Sequence, residues 1–283
     1  MKAIVMGERG MLGSDIVSYF RSRGATVLAF SSSQCDVTNR DCLADVLLSH
    51  TDSDIVINCA AYTAVDDCEK ERERAFLVNG QAPGFLAQVC DRIAVPLVHF
   101  STDYVFDGNK RGYYDESDAT APLSVYGASK LQGEQSVQSM LQSHYIFRVQ
   151  WLYGVNGNHF LKTISRLAAE RSELTIVNDQ WGSPTWTYDI ARYLYAFLSA
   201  KPAYGLYHFS NLGETTWYDV TVRLLGYLKT ECQVRPISTQ AFPRPARRPL
   251  NGKLSKQKCL SLGLGRIRTW ESAMDDYFTK LEK

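Results

Sequence analysis

Short apolar runs alternate with longer amphipathic stretches over the first half of the chain. Lys2–Met6, Thr26–Phe30, Asp54–Cys59, Pro96–Phe100 and Tyr145–Val149 are β-rich and bounded by turn residues or charge. Between them lie Met11–Arg23, Asn39–His50, Asp67–Arg92 and Ser124–Leu141, each long enough for a crossover helix, the third with an expected break near Pro83. Strands spaced by helices pair in parallel and are buried on both faces, which is why they read as continuous apolar runs rather than alternating ones. The pattern predicts an α/β fold with a doubly wound parallel sheet of the Rossmann kind.

After about residue 150 the rhythm changes. Helical patterns at Phe160–Glu170, Tyr188–Ser199, Trp217–Leu228 and Thr269–Leu281 are separated by short strands and by the Gly/Pro-containing loops Asp179–Thr185 and Ala241–Gly252. All five tryptophans, at 151, 181, 186, 217 and 270, fall in this half. The expected division is a Rossmann domain over 1–150 and a smaller α/β C-terminal substrate domain over 151–283, with elements exchanged between them.

Composition narrows the class. With 45% apolar and 22% charged residues the chain has ample core-forming material, and 31 basic against 30 acidic residues leave a net charge of +1. No global field draws in nucleic acid or anionic lipid, so neither is expected as a partner, and any anion must be held locally. The N-terminus lacks a signal-peptide apolar region, and no run approaches the roughly 18 apolar residues of a membrane span. A cytoplasmic protein is expected. Seven cysteines, without a Cys-x-x-Cys pair or a nearby histidine at zinc spacing, read as reduced thiols with no metal role.

The strongest local signal is Gly7-Glu8-Arg9-Gly10-Met11-Leu12-Gly13, directly after the first strand. Its glycines permit a tight turn, backbone approach to a pyrophosphate, and close helix packing, while free N–H groups at the helix N-terminus receive the phosphate. The second strand ends in Phe30-Ser31-Ser32-Ser33, with no carboxylate to repel a 2′-phosphate, and Arg9 could reach that phosphate. NADPH is therefore expected in preference to NADH.

Tyr126 and Lys130 stand four residues apart on one helix face. A nearby ammonium lowers a phenol's pKa, and a hydroxyl from the fourth strand's edge, Ser101–Gly108, can polarise a carbonyl. A glycine-rich cofactor turn, a Ser/Thr and Tyr-x-x-x-Lys together resemble the extended short-chain dehydrogenase/reductase superfamily.

A closer resemblance runs nearly end to end. NCAAYTAVD (58–66), STDYVFDG (101–108), YGASKLQGE (126–134), RVQWLYG (148–154), DQWGSPT (179–185), TWYD (216–219) and Arg248-Pro249 are similar to the dTDP-4-dehydrorhamnose reductase family. That resemblance implies reduction of the 4-keto group of a dTDP-linked 6-deoxy sugar to give dTDP-L-rhamnose, for cell-surface polysaccharide such as lipopolysaccharide O-antigen. It implies a catalytic trio of Thr102, Tyr126 and Lys130, with Lys130 also on the nicotinamide ribose. Gly10, Met11 and Leu12 would face the pyrophosphate, Asp36 and Val37 the adenine, and Ala60, Ala61 and Thr63 the rest of the cofactor. Val65, Asp103, Tyr104 and Trp151 would line the sugar site.

Gln150 and His159 depart from the family pattern, where a small residue and an asparagine are usual. Related dehydratases carry an Asp-Glu pair after this threonine, whereas here Asp103-Tyr104 follows Thr102, which favours simple reduction. Seven basic residues between Arg235 and Lys258, with no acidic one among them, suggest an anion site in which Arg247, Arg248 or Lys253 meets the substrate diphosphate. The mixed-charge run Asp66–Arg74 reads as a solvated helix face, and His99 as a core histidine. Rival readings are a reductase of another nucleotide-linked 4-keto-6-deoxy sugar, and a non-catalytic NADP-binding subunit like the β subunit of methionine adenosyltransferase. A homodimer is compatible with either.

Overall fold

The computed structural model describes residues 1–281. Its centre is a six-stranded parallel sheet built from β1 (Lys2–Met6), β2 (Thr26–Phe30), β3 (Ile55–Asn58), β4 (Leu97–Thr102), β5 (His144–Val149) and a later strand, Gly205–His208, which pairs with β5. The spatial order is Gly205–His208, β5, β4, β3, β1, β2. The chain winds from β1 outward to β2 and then crosses to the other side at β3, so a topological switch point lies between β1 and β3, where ligands of such sheets bind.

Alternation along β1 builds two cores. Ala3 and Val5 face one layer, with Ile16 and Phe20 of α1 (Met11–Ser22) and Leu194 and Phe197 of the helix Thr187–Ala200. Ile4 and Met6 face the other, with Leu43 and Leu47 of α2 (Arg40–Leu48), Leu86 and Cys90 of α3 (Ala82–Arg92), and Val137 of α4 (Val125–Met140). Both faces are covered, as an all-parallel sheet requires. Residues 187–208, although late in the chain, thus return to the first half's sheet. A third core, with Ile164, Ile176, Leu224 and Met274, joins the helices Phe160–Glu170, Trp217–Leu228 and Trp270–Leu281 to the parallel pair Glu173–Val177 and Gln233–Ile237. Among the described residues no helix is long and apolar enough to cross a membrane.

Two expectations change. Pro83 does not break its helix. It occupies the first turn of α3, where a missing N–H costs nothing, and the irregularity precedes it as two single turns, Val65–Cys68 and Arg72–Ala75, and a wide π-helical turn at Phe76–Gln81. Nor are all cysteines free: the loop after β2 brings Cys35 to within 5.8 Å, Cα to Cα, of Cys42 in the first turn of α2, and the two are joined as a disulfide. Their separation of seven residues resembles no spacing motif, so nothing in the sequence singled them out.

Candidate active site

The glycine turn sits at the switch point. Gly7 has φ +81°, and a side chain there would begin 2.7 Å from the Ala60 amide at the end of β3, so only glycine lets the two strand ends approach this closely. A Cβ at Gly13 would collide with the Gly7 carbonyl oxygen. Gly10 precedes α1 with no side-chain cap, which leaves the first N–H groups of a twelve-residue helix, those of Met11, Leu12 and Gly13, without side-chain acceptors. This is a cradle for an anion of pyrophosphate size.

The turn is stitched to β2, since the Gly7 and Glu8 amides both donate to the Phe30 carbonyl, at 2.8 and 3.2 Å. Arg9 is exposed on this turn, which is itself tied to the end of β2 just before Ser31–Ser33. Asp36 forms a local turn, accepting from the Thr38 amide at 2.9 Å, and Val37 is buried beneath it. Along the β3 edge the Asn58 side chain accepts from the Ala60 amide at 3.1 Å, while Ala61 and Thr63 are exposed beyond it. His99 is fully buried against Asn58, as a core histidine should be, and burial depresses its pKa.

The expected catalytic trio gathers at the ends of β4 and α4. Ser124 caps α4 through the Gly127 amide, so Tyr126 and Lys130 project from its first two turns. Gly127 cannot carry a side chain because the Tyr104 carbonyl occupies that space, which brings the 102–104 turn directly against the helix. Thr102 is 5% exposed and lies close enough to the Tyr126 phenol to lower its pKa, while its hydroxyl accepts from the Tyr104 amide at 3.2 Å. Tyr104 meets the Tyr126 ring edge-on, with centroids 5.5 Å apart. The Lys130 ammonium is buried, donates to the Phe100 carbonyl at 2.5 Å and lies close to Cys59, the neighbour of Ala60.

The electrostatics differ from the expectation that Lys130 pulls the phenol's pKa down. Burial dominates and pushes the Tyr126 pKa up, opposed by the nearby Thr102 hydroxyl. Lys130 is turned to Phe100 instead, and burial lowers its own pKa to about 8. Asp103 is 2% exposed and accepts from the Thr102 hydroxyl at 3.1 Å; burial raises its pKa to about 7.

Beside Tyr104 opens a cavity of about 1080 Å³, walled by Phe160, Trp217, Gln180, Arg247 and Arg248 among others. Trp151, held at φ +48°, stacks on Trp217 with centroids 3.7 Å apart, and so supports that wall from behind. Val65 is half-buried on the turn that also carries Asp66.

Asp66 was missed by the sequence reading, which placed it on a solvated face. Its carboxylate accepts from both Arg248 terminal nitrogens at 3.0 Å, from Arg244 Nε at 3.0 Å and from the Ala246 amide at 3.2 Å. These bonds hold its pKa far below the ordinary carboxylate range, against the opposing effect of burial. Arg248 also lies close to the Tyr104 phenol and opposes the rise in pKa that burial gives it. The signal available in the sequence was the position of Asp66 at the end of NCAAYTAVD, outside the helix-spaced charges that follow.

The run of basic residues is likewise not one patch. Arg235 pairs with Glu173, Lys253 with Glu214 at 3.0 Å, and Lys258 donates to the Leu206 carbonyl. Of the three residues expected to meet a diphosphate, Arg247 alone has no ion-pair partner among the described residues, and it lines the cavity. His159 explains its own departure from the family pattern: its ring accepts from the Lys162 amide and caps the helix Phe160–Glu170, as an asparagine would, and it packs on Tyr153 and Tyr277 away from the cavity.

Known proteins with this arrangement are identifiable. The family model described as the RmlD substrate binding domain matches residues 1–283. A dTDP-4-dehydrorhamnose reductase of Streptomyces griseus is 38% identical over 286 residues, covering 98% of this chain and 93% of the relative. A dTDP-4-keto-6-deoxy-D-glucose reductase of Streptomyces niveus is 39% identical over 282 residues, covering 98% and 96%. The crystal structure of dTDP-4-dehydrorhamnose reductase from Bacillus anthracis in complex with NADP has a TM-score of 0.95 to this structure at 34% identity, over 99% of each chain. With its glycine turn at the switch point, its Thr/Tyr/Lys cluster on β4 and α4, and similarity over its whole length, the chain belongs to the dTDP-4-dehydrorhamnose reductase family.

Proposed function

We propose that the protein reduces the 4-keto group of dTDP-4-dehydrorhamnose to dTDP-L-rhamnose, using NADPH. The cofactor's pyrophosphate fits the uncapped N-terminus of α1, where three glycines leave backbone within reach, and Arg9 with Ser31–Ser33 suits a 2′-phosphate. When bound, NADPH supplies the hydride. Every remaining task falls to side chains.

The observation that carries the reading is the proximity of Thr102 to the Tyr126 phenol, with Lys130 one helical turn away and with Tyr104, which meets the Tyr126 ring edge-on, lining the open cavity. Two hydroxyl donors directed at one carbonyl oxygen polarise it and stabilise the alkoxide as it forms. Because burial raises its pKa, Tyr126 stays protonated at neutral pH and has a proton to give. Lys130 remains charged below pH 8, with one of its three N–H groups on Phe100 and two left for a ribose hydroxyl. In the cavity, Arg247 suits a diphosphate and the Trp217 and Phe160 rings suit a sugar or base. Asp103 and Tyr104 provide no second carboxylate, so elimination of water lacks an acid/base pair.

The reading is tested by following NADPH oxidation with dTDP-, GDP- and UDP-linked 4-keto-6-deoxy sugars and identifying the product. Turnover with the dTDP-linked lyxo-hexulose and formation of the L-rhamnose product supports it. The Streptomyces niveus relative favours one second reading, reduction of the D-glucose-derived epimer, which the same assay separates by product stereochemistry. No oxidation with any keto-sugar removes both.

A further inference from the structure

Behind Thr102, two buried acceptor oxygens face the same point with nothing to accept. Asp103 Oδ2 and Gln150 Oε1 both lack a hydrogen-bond partner, and both residues are 2% exposed. Both lie beside Gly252. A side chain on that glycine would collide with Asp103 Oδ2 and begin 3.5 Å from Gln150 Oε1. The remaining polar atoms are accounted for: Gln150 Nε2 donates to the Ser210 hydroxyl at 3.2 Å, and Asp103 Oδ1 accepts from Thr102. Two unpartnered acceptors facing one glycine in a dry interior are unfavourable; a proton on Asp103 satisfies both, whereas a turned Gln150 amide would satisfy an ionised Asp103 and leave its titration at the ordinary carboxylate value.

We propose that Gln150 is a positioning residue for Thr102, acting through Asp103: the two share a proton, so that Asp103 stands as a neutral acid. The inference rests on the role assigned to Thr102 above. Thr102 has one hydroxyl proton, and in this structure Asp103 Oδ1 accepts it. An ionised carboxylate is the stronger acceptor and would retain that proton, whereas a neutral acid releases it to a carbonyl oxygen.

No neighbouring cation opposes the neutral form. On the same turn the nearest titratable group is Tyr104, and on α4 it is Tyr126, both neutral phenols. On β5, Arg148 is bound to Glu134 at 2.7 Å, and on the loop Lys253 is bound to Glu214. Arg248 is engaged by Asp66. Burial raises the Asp103 pKa to about 7, in the direction the geometry demands.

The test is a carboxyl-carbon NMR titration of the full-length protein labelled at aspartate, with the Asp103 signal assigned by its loss in Asp103→Asn. In the wild type this carboxyl should titrate close to neutrality. Gln150→Ala removes the acceptor and leaves room for water, so the midpoint should fall by about one pH unit or more; Gln150→Glu places a like charge beside it and should raise the midpoint. Gln150→Ser repeats the first arm if the alanine variant folds poorly, and retained NADPH binding serves as the folding control. The pH at which kcat/KM declines should move with the midpoint, because the active form is the protonated one, populated below the pKa and lost above it. An ordinary midpoint near 4, a midpoint common to all three proteins, or a kcat/KM profile that ignores the shifts overturns the proposal. Absence of turnover in the wild type would instead contradict the assigned reaction, and the carboxyl titration would still decide the pair.

Discussion

The two anion-binding regions of this molecule are built in opposite ways. The glycine turn is local. Residues 7–13 form it from backbone amides, and its fit depends on absent side chains at Gly7 and Gly13. The cavity wall is non-local: Arg248 is set by Asp66, 182 residues away in sequence, and Arg247 is left facing the cavity because its neighbours are tied elsewhere. A backbone site fails when a methyl group is added. A side-chain site fails when a partner is removed, even one that never touches the ligand.

That contrast orders the consequences. Gly13→Ala should be the most damaging, since its Cβ must displace the Gly7 carbonyl and deform the cradle; we expect NADPH affinity to fall by roughly 100-fold, with dTDP affinity retained, by calorimetry. Arg247→Ala should weaken dTDP binding by about 10- to 30-fold, the value of one charge-assisted phosphate contact, and leave NADPH binding intact. A larger loss in Arg248→Ala than in Arg247→Ala would reverse the assignment and return the phosphate role to the paired arginine.

Asp66→Asn should raise KM for the sugar nucleotide by about 10-fold with little change in kcat, because it loosens Arg244 and Arg248 without touching the reacting atoms. The sign of its pH dependence follows from its depressed pKa: the clamp is fully present above the ordinary carboxylate value of 3.8 and is lost only as pH falls through the lower folded value. The wild-type KM should therefore show no pH dependence arising from Asp66 between about pH 5 and pH 8. The smallest effect is expected from Arg9→Ala, an exposed side chain; the ratio of kcat/KM for NADPH over NADH should fall by several-fold, and an unchanged ratio would remove Arg9 from the 2′-phosphate site.

Legibility followed the same division. The five strands of the first half and the glycine turn could be read because each is a contiguous pattern, with β1 and β2 found at the expected residues. Gly205–His208 could not be placed, since four residues of mixed polarity become a sheet strand only by pairing with β5. Thr102, Tyr126 and Lys130 were visible as motifs, but their electrostatics were not: desolvation of the phenol outweighs an ammonium turned to the Phe100 carbonyl. Asp66 looked like one more surface charge beside Asp67, and the seven basic residues looked like a patch, because neither reading could include distant partners: Arg244 and Arg248 for Asp66, and Glu173 and Glu214 for Arg235 and Lys253. His159 looked like a departure from the family pattern and is a helix cap.

The most direct test of the whole account is Tyr126→Phe, which removes one oxygen and preserves the ring that meets Tyr104. Calorimetry should show NADPH bound as in the wild type, while oxidation of that NADPH by the dTDP-linked keto-sugar falls by about 100- to 10,000-fold, the range of a lost general acid. Turnover within a few-fold of wild type would contradict the assignment of Tyr126 as proton donor, and with it the reading of the Thr102–Tyr126 pair as the reacting centre.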